Sequence, residues 1–153
     1  MDIIPTRIFS DVIMEKDYIY ILASAGDGFI NIVVFDLTKS SVKLCCEKQN
    51  LPLYPLCCAL TRMAELKIIL ICAAYDDYSL RFYYLREEEF TESEEKRELE
   101  LKCKLIIGED WTNSLQFCRK SHKLAISNND HLVRVVTIAE SDSALQDQNR
   151  LQV

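Results

Sequence analysis

The sequence has no long apolar run. The longest candidate, Ile68 to Tyr75, falls well short of the roughly 18 residues that a membrane-crossing helix requires, which excludes a helical span. Glycine and proline are scarce, 3 of each in 153 residues, so collagen-like and low-complexity classes are excluded as well. The first residues carry Asp2 and no basic stretch ahead of an apolar one, and no secretory leader is expected. Lys and Arg nowhere cluster into a basic face, which argues against nucleic-acid binding. What remains is a chain of one-domain length that is 49% hydrophobic and 27% charged, able to bury a core and too apolar to be wholly disordered.

The net charge of −6 is local. Between Arg86 and Glu100 lie eight Glu against three basic residues, a net −5 for that segment, and the rest of the chain is close to neutral. Glu92 and Lys96 have helical spacing, but the only apolar residues near them are Phe90, Leu99 and Leu101. The segment around 86–98 is therefore expected to be a solvated acidic loop between two strands, and the polar, aperiodic residues 139–153 a disordered tail.

Seven cysteines, at 45, 46, 57, 58, 72, 103 and 118, make an odd number without an export signal, so a disulfide framework is not expected and a reducing compartment, cytoplasmic or nuclear, is. Cys45-Cys46 and Cys57-Cys58 are adjacent pairs. Neighbours in a strand point to opposite faces, so one metal ion is out of reach of both sulfurs, and these thiols are expected to act as small core hydrophobes.

Short runs rich in Ile, Val, Tyr and Phe, bounded by turn residues, indicate an all-β chain. The strand candidates are Ile19–Ser24, Ile30–Leu37, Val42–Glu47, Cys57–Leu60, Lys67–Ala74, Leu80–Leu85, Leu99–Ile107, Ser114–Cys118, Lys123–Ser127 and Val133–Ile138. Three of the intervening turns share one grammar. Ile21 to Gly28 leads into Ile32 to Asp36, Leu70 to Asp77 into Leu80 to Tyr84, and Leu124 to Asp130 into Val133 to Thr137. Asp77 and Asp130 each precede an apolar residue by three positions and an Arg by four. With Val33, Arg81 and Arg134 taken as equivalent, the repeat spacings are 48 and 53 residues.

This pattern of apolar strand, Asp-bearing turn and second apolar strand resembles the WD40 repeat, one blade of a β-propeller. Phe35-Asp36 stands where that repeat carries Trp-Asp; Tyr83-Tyr84 and Val136-Thr137 stand there in the other copies, no Gly-His pair is visible, and Trp111 is outside the expected position. The resemblance spans about residues 7 to 138 and implies antiparallel four-stranded blades, about three of them, in an incomplete ring within a single all-β domain, 1–138. A β-sandwich is the alternative fold with the same local turn signals. Since propellers close with four to eight blades, the resemblance further implies a fragment or truncated isoform, or a ring completed by another chain.

Chemistry-bearing motifs are few. Gly26-Asp27-Gly28 lacks the third glycine and the helix start of a dinucleotide loop. His122 and His131 sit in turn-like contexts, where a Cys118/His122 nucleophile pair is disfavoured against surface histidines. Asp76-Asp77 is expected to be a turn and not a cation site. No catalytic, cofactor-binding or metal residue is assigned, and no cofactor. The implied function is a non-catalytic protein–protein interaction scaffold; the alternative is an accessory β domain of an enzyme complex, with a thiol-dependent activity at Cys118 as its enzymatic variant.

Overall fold

A computed structural model describes residues 9–24, 28–47, 53–87 and 99–138. The expected acidic loop lies outside the described residues over 88–98, as does the expected tail, 139–153.

The described chain is all-β and antiparallel, in three sheets that each use consecutive strands. Sheet 1 is β1 (Phe9–Glu15), β2 (Tyr18–Ser24), β3 (Ile30–Asp36) and β4 (Ser41–Glu47). Sheet 2 is β5 (Pro55–Met63), β6 (Ile68–Tyr75), β7 (Ser79–Arg86) and β8 (Glu100–Ile106). Sheet 3 is β9 (Thr112–Cys118), β10 (Lys123–Asn128) and β11 (Val133–Thr137). Within each sheet every strand pairs antiparallel with the next in sequence, through short connections except between β7 and β8, which residues 87–99 separate.

Alternation along the strands sorts the side chains into two cores. Ile13, Tyr20, Leu22, Ile30, Ile32 and Val34 of sheet 1 pack on Cys58, Leu60, Ile69, Ile71 and Tyr83 of sheet 2. On the far side of sheet 2, Cys57, Leu70, Cys72, Leu80 and Phe82 pack on Leu115, Phe117, Leu124, Ile126 and Val136 of sheet 3. Sheet 2 is thus the middle layer, and β6 is buried along its whole length. Each fully buried Leu or Ile contributes roughly 1.5–3 kcal/mol by leaving water. The first strands adjoin, with β5 contacting both β1 and β9. Across the first of these contacts Arg62 reaches Glu15 at 3.6 Å and is held on its other side by Glu87.

Cys57 and Cys58 enter different cores, as the alternation requires. Strand β5 is longer than Cys57–Leu60, and its Pro55 sits at the first position, where a missing N–H is tolerated. Strand β1 went unread in the sequence because Asp11 breaks its apolar character. That carboxylate accepts the Val12 N–H at 2.9 Å through one oxygen and the Leu60 N–H at 2.9 Å through the other, tying β1 to β5.

The pairing register corrects the repeat alignment. Ile30 lies opposite Ser24, Leu80 opposite Ala74 and Val133 opposite Ser127, each closing a turn of the same length. The equivalent of Arg81 and Arg134 is therefore Asn31, two residues before Val33, and the spacings are 50 and 53. The backbone agrees: two residues before Ile30, Leu80 and Val133 stand Gly28, Tyr78 and His131, with φ of 86°, 62° and 64°. A left-handed backbone at this one position recurs in all three sheets. Only the first copy meets it with the residue that adopts it at no steric cost.

Candidate interaction surface

The three left-handed turns lie at one end of the stack, and two of them carry a matched set of charges. One Asp77 carboxylate oxygen accepts the Ser79 N–H at 3.2 Å as well as the Ser79 hydroxyl. The other accepts Arg81 at 3.2 Å and Lys104 at 2.9 Å. Asp130 repeats this, accepting the Leu132 N–H at 3.0 Å and pairing with Arg134 at 2.6 Å. Both aspartates thus cap their turns, and the Arg four residues on is a further partner of each carboxylate. Burial alone would raise the Asp77 carboxyl, but the hydrogen bonds from Ser79 and Lys104 outweigh it and hold it down at about 2. The Arg134 guanidinium holds Asp130 below the usual carboxylate range too. Beneath Asp77, the Arg81 guanidinium lies 4.6 Å from the centre of the Tyr75 ring, and the Tyr75 and Tyr83 hydroxyls meet at 3.1 Å. These side chains are committed to the scaffold.

At the same end a second feature repeats. Tyr54 directly precedes β5 and Trp111 directly precedes β9. The Tyr54 carbonyl accepts the Asp76 N–H at 3.1 Å, and the Trp111 carbonyl accepts the Asn129 N–H at 2.9 Å. Asp76 and Asn129 are equivalent in the turn register, each two residues past the residue paired with Leu80 or Val133. The same latch thus fixes an aromatic residue in the same place on neighbouring sheets. Both rings are exposed, as are Tyr78 and Leu132 on the adjoining turns. The starts of β5 and β9 lie side by side, for the Cys57 thiol donates to the Thr112 carbonyl at 3.7 Å. Asp76 borders Tyr54, whose N–H its carboxylate accepts, Glu109 and Asp110 precede Trp111 in sequence, and Asp110 caps the Trp111 N–H at 2.7 Å. Exposed aromatic side chains on short, hydrogen-bonded supports are the type of group that anchors protein interfaces, because they bring large contact area at little cost in side-chain freedom. Sequence reading passed over Tyr54 and Trp111; the available signal was an aromatic residue immediately before two strands.

At the opposite end, Cys118 and His122 flank the β9–β10 turn and line one shallow depression with Arg62, Met63 and Arg119. It has room for little more than a water-sized molecule. Hydrogen bonding from Ser121 lowers the Cys118 thiol, while burial pushes Cys57 up to about 12 and Cys72 well above the ordinary range. His131, at the aromatic end, stands far from this turn, in the β10–β11 connection. Among the described residues no three His, Cys, Asp or Glu side chains converge as a metal site would require, and no helix is long and apolar enough to cross a membrane.

No family model matches the chain, and no curated protein matches it.

Proposed function

We propose that the chain is a non-catalytic protein–protein interaction scaffold of WD40-like repeats, acting in the cytoplasm or nucleus, and that the rim bearing Tyr54 and Trp111 is where it meets its partner. The observation that carries this reading is the recurrence of one exposed aromatic residue on one hydrogen-bonded latch in two successive sheets. Scaffold residues that repeat are ordinarily buried; here the repeated side chain is the one turned to solvent. The WD40-like part is supported by three successive meander sheets stacked through their first strands, each with a left-handed residue just ahead of its third strand. The carboxylates of Asp76, Glu109 and Asp110 favour a partner segment that brings basic side chains along with apolar ones. The ring is incomplete on this reading: the chain is a fragment or truncated isoform of a larger propeller, or another chain completes it.

The test is photo-crosslinking. A photoreactive phenylalanine at 54 or at 111 is expected to capture one and the same protein, and Trp111→Ala in the position-54 background to reduce that capture at least about tenfold. Different proteins captured from the two positions, or capture indifferent to Trp111, would overturn it.

A further inference from the structure

The stack has two open faces, and the register shows what each lacks. Ile30, Leu80 and Val133 are equivalent positions, and so are Ile32, Phe82 and Val135. Ile30 lies under sheet 2 and Leu80 under sheet 3, both 0% exposed, whereas Val133 is 72% exposed. Ile32 and Phe82 are covered likewise, and Val135 is 60% exposed. In each case the side chain points toward the following sheet, and sheet 3 has none among the described residues. Sheet 1 shows the converse. Val12, Leu60 and Phe117 are equivalent and point toward the preceding sheet; Leu60 and Phe117 are 2% and 5% exposed, and Val12 is 50% exposed. Ile21 is exposed where its equivalents Ile71 and Leu124 are buried. Around Val12 and Ile21 the outer face of sheet 1 adds Met14, Ile19, Val33, Phe35 and Val42, with no charged side chain at any described position.

We infer that these two faces belong together, and that the chain completing the arc is a second copy of this one, the outer face of sheet 3 in each copy packing on the outer face of sheet 1 in the other. The inference deepens the incomplete-ring part of the proposed function and rests on it, but not on the aromatic rim. The register argues for this pairing over sheet 1 against sheet 1: within the chain, a face equivalent to that of sheet 3 covers a face equivalent to that of sheet 1 twice over. Area argues for it too. The outer face of sheet 1, four seven-residue strands, measures about 23 Å by about 19 Å, roughly 440 Å², and that of the three-stranded sheet 3 roughly 290 Å². With each face used once on each copy, two contacts related by a two-fold axis cover roughly 730 Å² per partner, close to the roughly 800 Å² of stable complexes, and one contact alone covers less than about half of that. The outer face of sheet 3 also carries Ser114, Gln116 and Ser127, with Cys118, Lys123 and Thr137 in its last row at the end of the sheet, where a lysine reaches solvent past its apolar stem and Cys118 stays accessible.

Sedimentation velocity on the 153-residue chain, from about 1 to about 100 μM, is expected to show twice the chain mass. Val12→Lys and Val135→Lys are each expected to give monomers. Mixing the two variants is expected to restore association in part, more weakly than in the wild type, because one of the two contacts between them then has both faces intact. Both positions are exposed, and a melt confirms that each variant folds; Val42→Lys replaces Val12→Lys if the latter does not. Trp111→Ala is expected to leave assembly unchanged, which separates this inference from the binding reading. A wild-type monomer throughout, a series of species larger than the dimer, or a dimer lost with Val12→Lys and kept with Val135→Lys would each overturn it.

Discussion

Tyr54 and Asp76 hold each other in both directions: the Asp76 N–H donates to the Tyr54 carbonyl at 3.1 Å, and an Asp76 carboxylate oxygen accepts the Tyr54 N–H at 3.1 Å. Trp111 and Asn129 share only the first of these bonds, with Asp110 capping the Trp111 N–H instead. Asp76→Ala is therefore expected to cost about 1 kcal/mol in a urea melt and to speed hydrogen exchange at the Tyr54 amide. Asn129→Ala, which keeps its backbone bond to Trp111, is expected to leave the Trp111 amide protected. Equal loss at both amides would show that the side chain of Asp76 is not what fixes Tyr54.

Asp77 makes stability depend on acid. Its carboxyl is held at about 2, below its ordinary value of 3.8, so the stabilisation is complete above that ordinary value and is lost as pH falls through about 2. Asp36 and Asp130, also lowered, act in the same sense. Urea midpoints are expected to fall between pH 4 and pH 2, and Asp77→Asn to flatten that fall. At neutral pH, Asp77→Ala is expected to cost about 1–2 kcal/mol after solvent screening, because it removes an anion shared by two cations. Asp130→Ala, with one cation to lose, is expected to cost less. The reverse order would mean that the Lys104 contact contributes nothing.

His131 keeps a left-handed backbone at φ 64° where sheet 1 has Gly28. Such a residue costs roughly 1–2 kcal/mol, while glycine adds unfolded-state freedom worth up to about 1 kcal/mol. His131→Gly is expected to raise the melting temperature slightly or leave it unchanged, and Gly28→Ala to lower it. A clear loss with His131→Gly would show that the imidazole itself holds the turn.

The thiols are expected to react in a fixed order. Cys118 is exposed and lowered by Ser121; Cys57 and Cys72 are buried and raised. Peptide mass spectrometry after brief alkylation at neutral pH is expected to find label on Cys118 and none on Cys57 or Cys72 until denaturant is added. Early label on Cys72 would mean that the middle sheet opens in the native state.

Strands β2 to β4 and β6 to β11 were legible in the sequence to within about two residues, because period-two apolar runs end at turn residues there. Strand β1 was not, since Asp11 serves a backbone bond to another strand and reads locally as a break. The third residue after Asp27 is Ile30 and the fourth Asn31, the same grammar as Asp77 and Asp130 with the arginine replaced. Matching Phe35-Asp36 to the Trp-Asp of the repeat puts Val33 at the arginine position, two residues from Asn31, a shift that period-two alternation hides because it preserves which face is apolar. The Tyr54 and Trp111 latches are backbone bonds between distant segments, which no local pattern reports.

Because, among the described residues, sheet 2 alone is covered on both faces within one chain, the three sheets are unequal under unfolding. Each sheet touches only its neighbours in sequence through its core, so stability is close to a sum over two interfaces, and losing an end sheet forfeits one while losing the middle forfeits both. The ends are therefore expected to open first and independently, with the amides of Ile69, Ile71 and Ala73 in β6 exchanging only when the whole stack comes apart. A partner that covers either end face would then slow exchange not just beneath itself but inward through the sheet behind it.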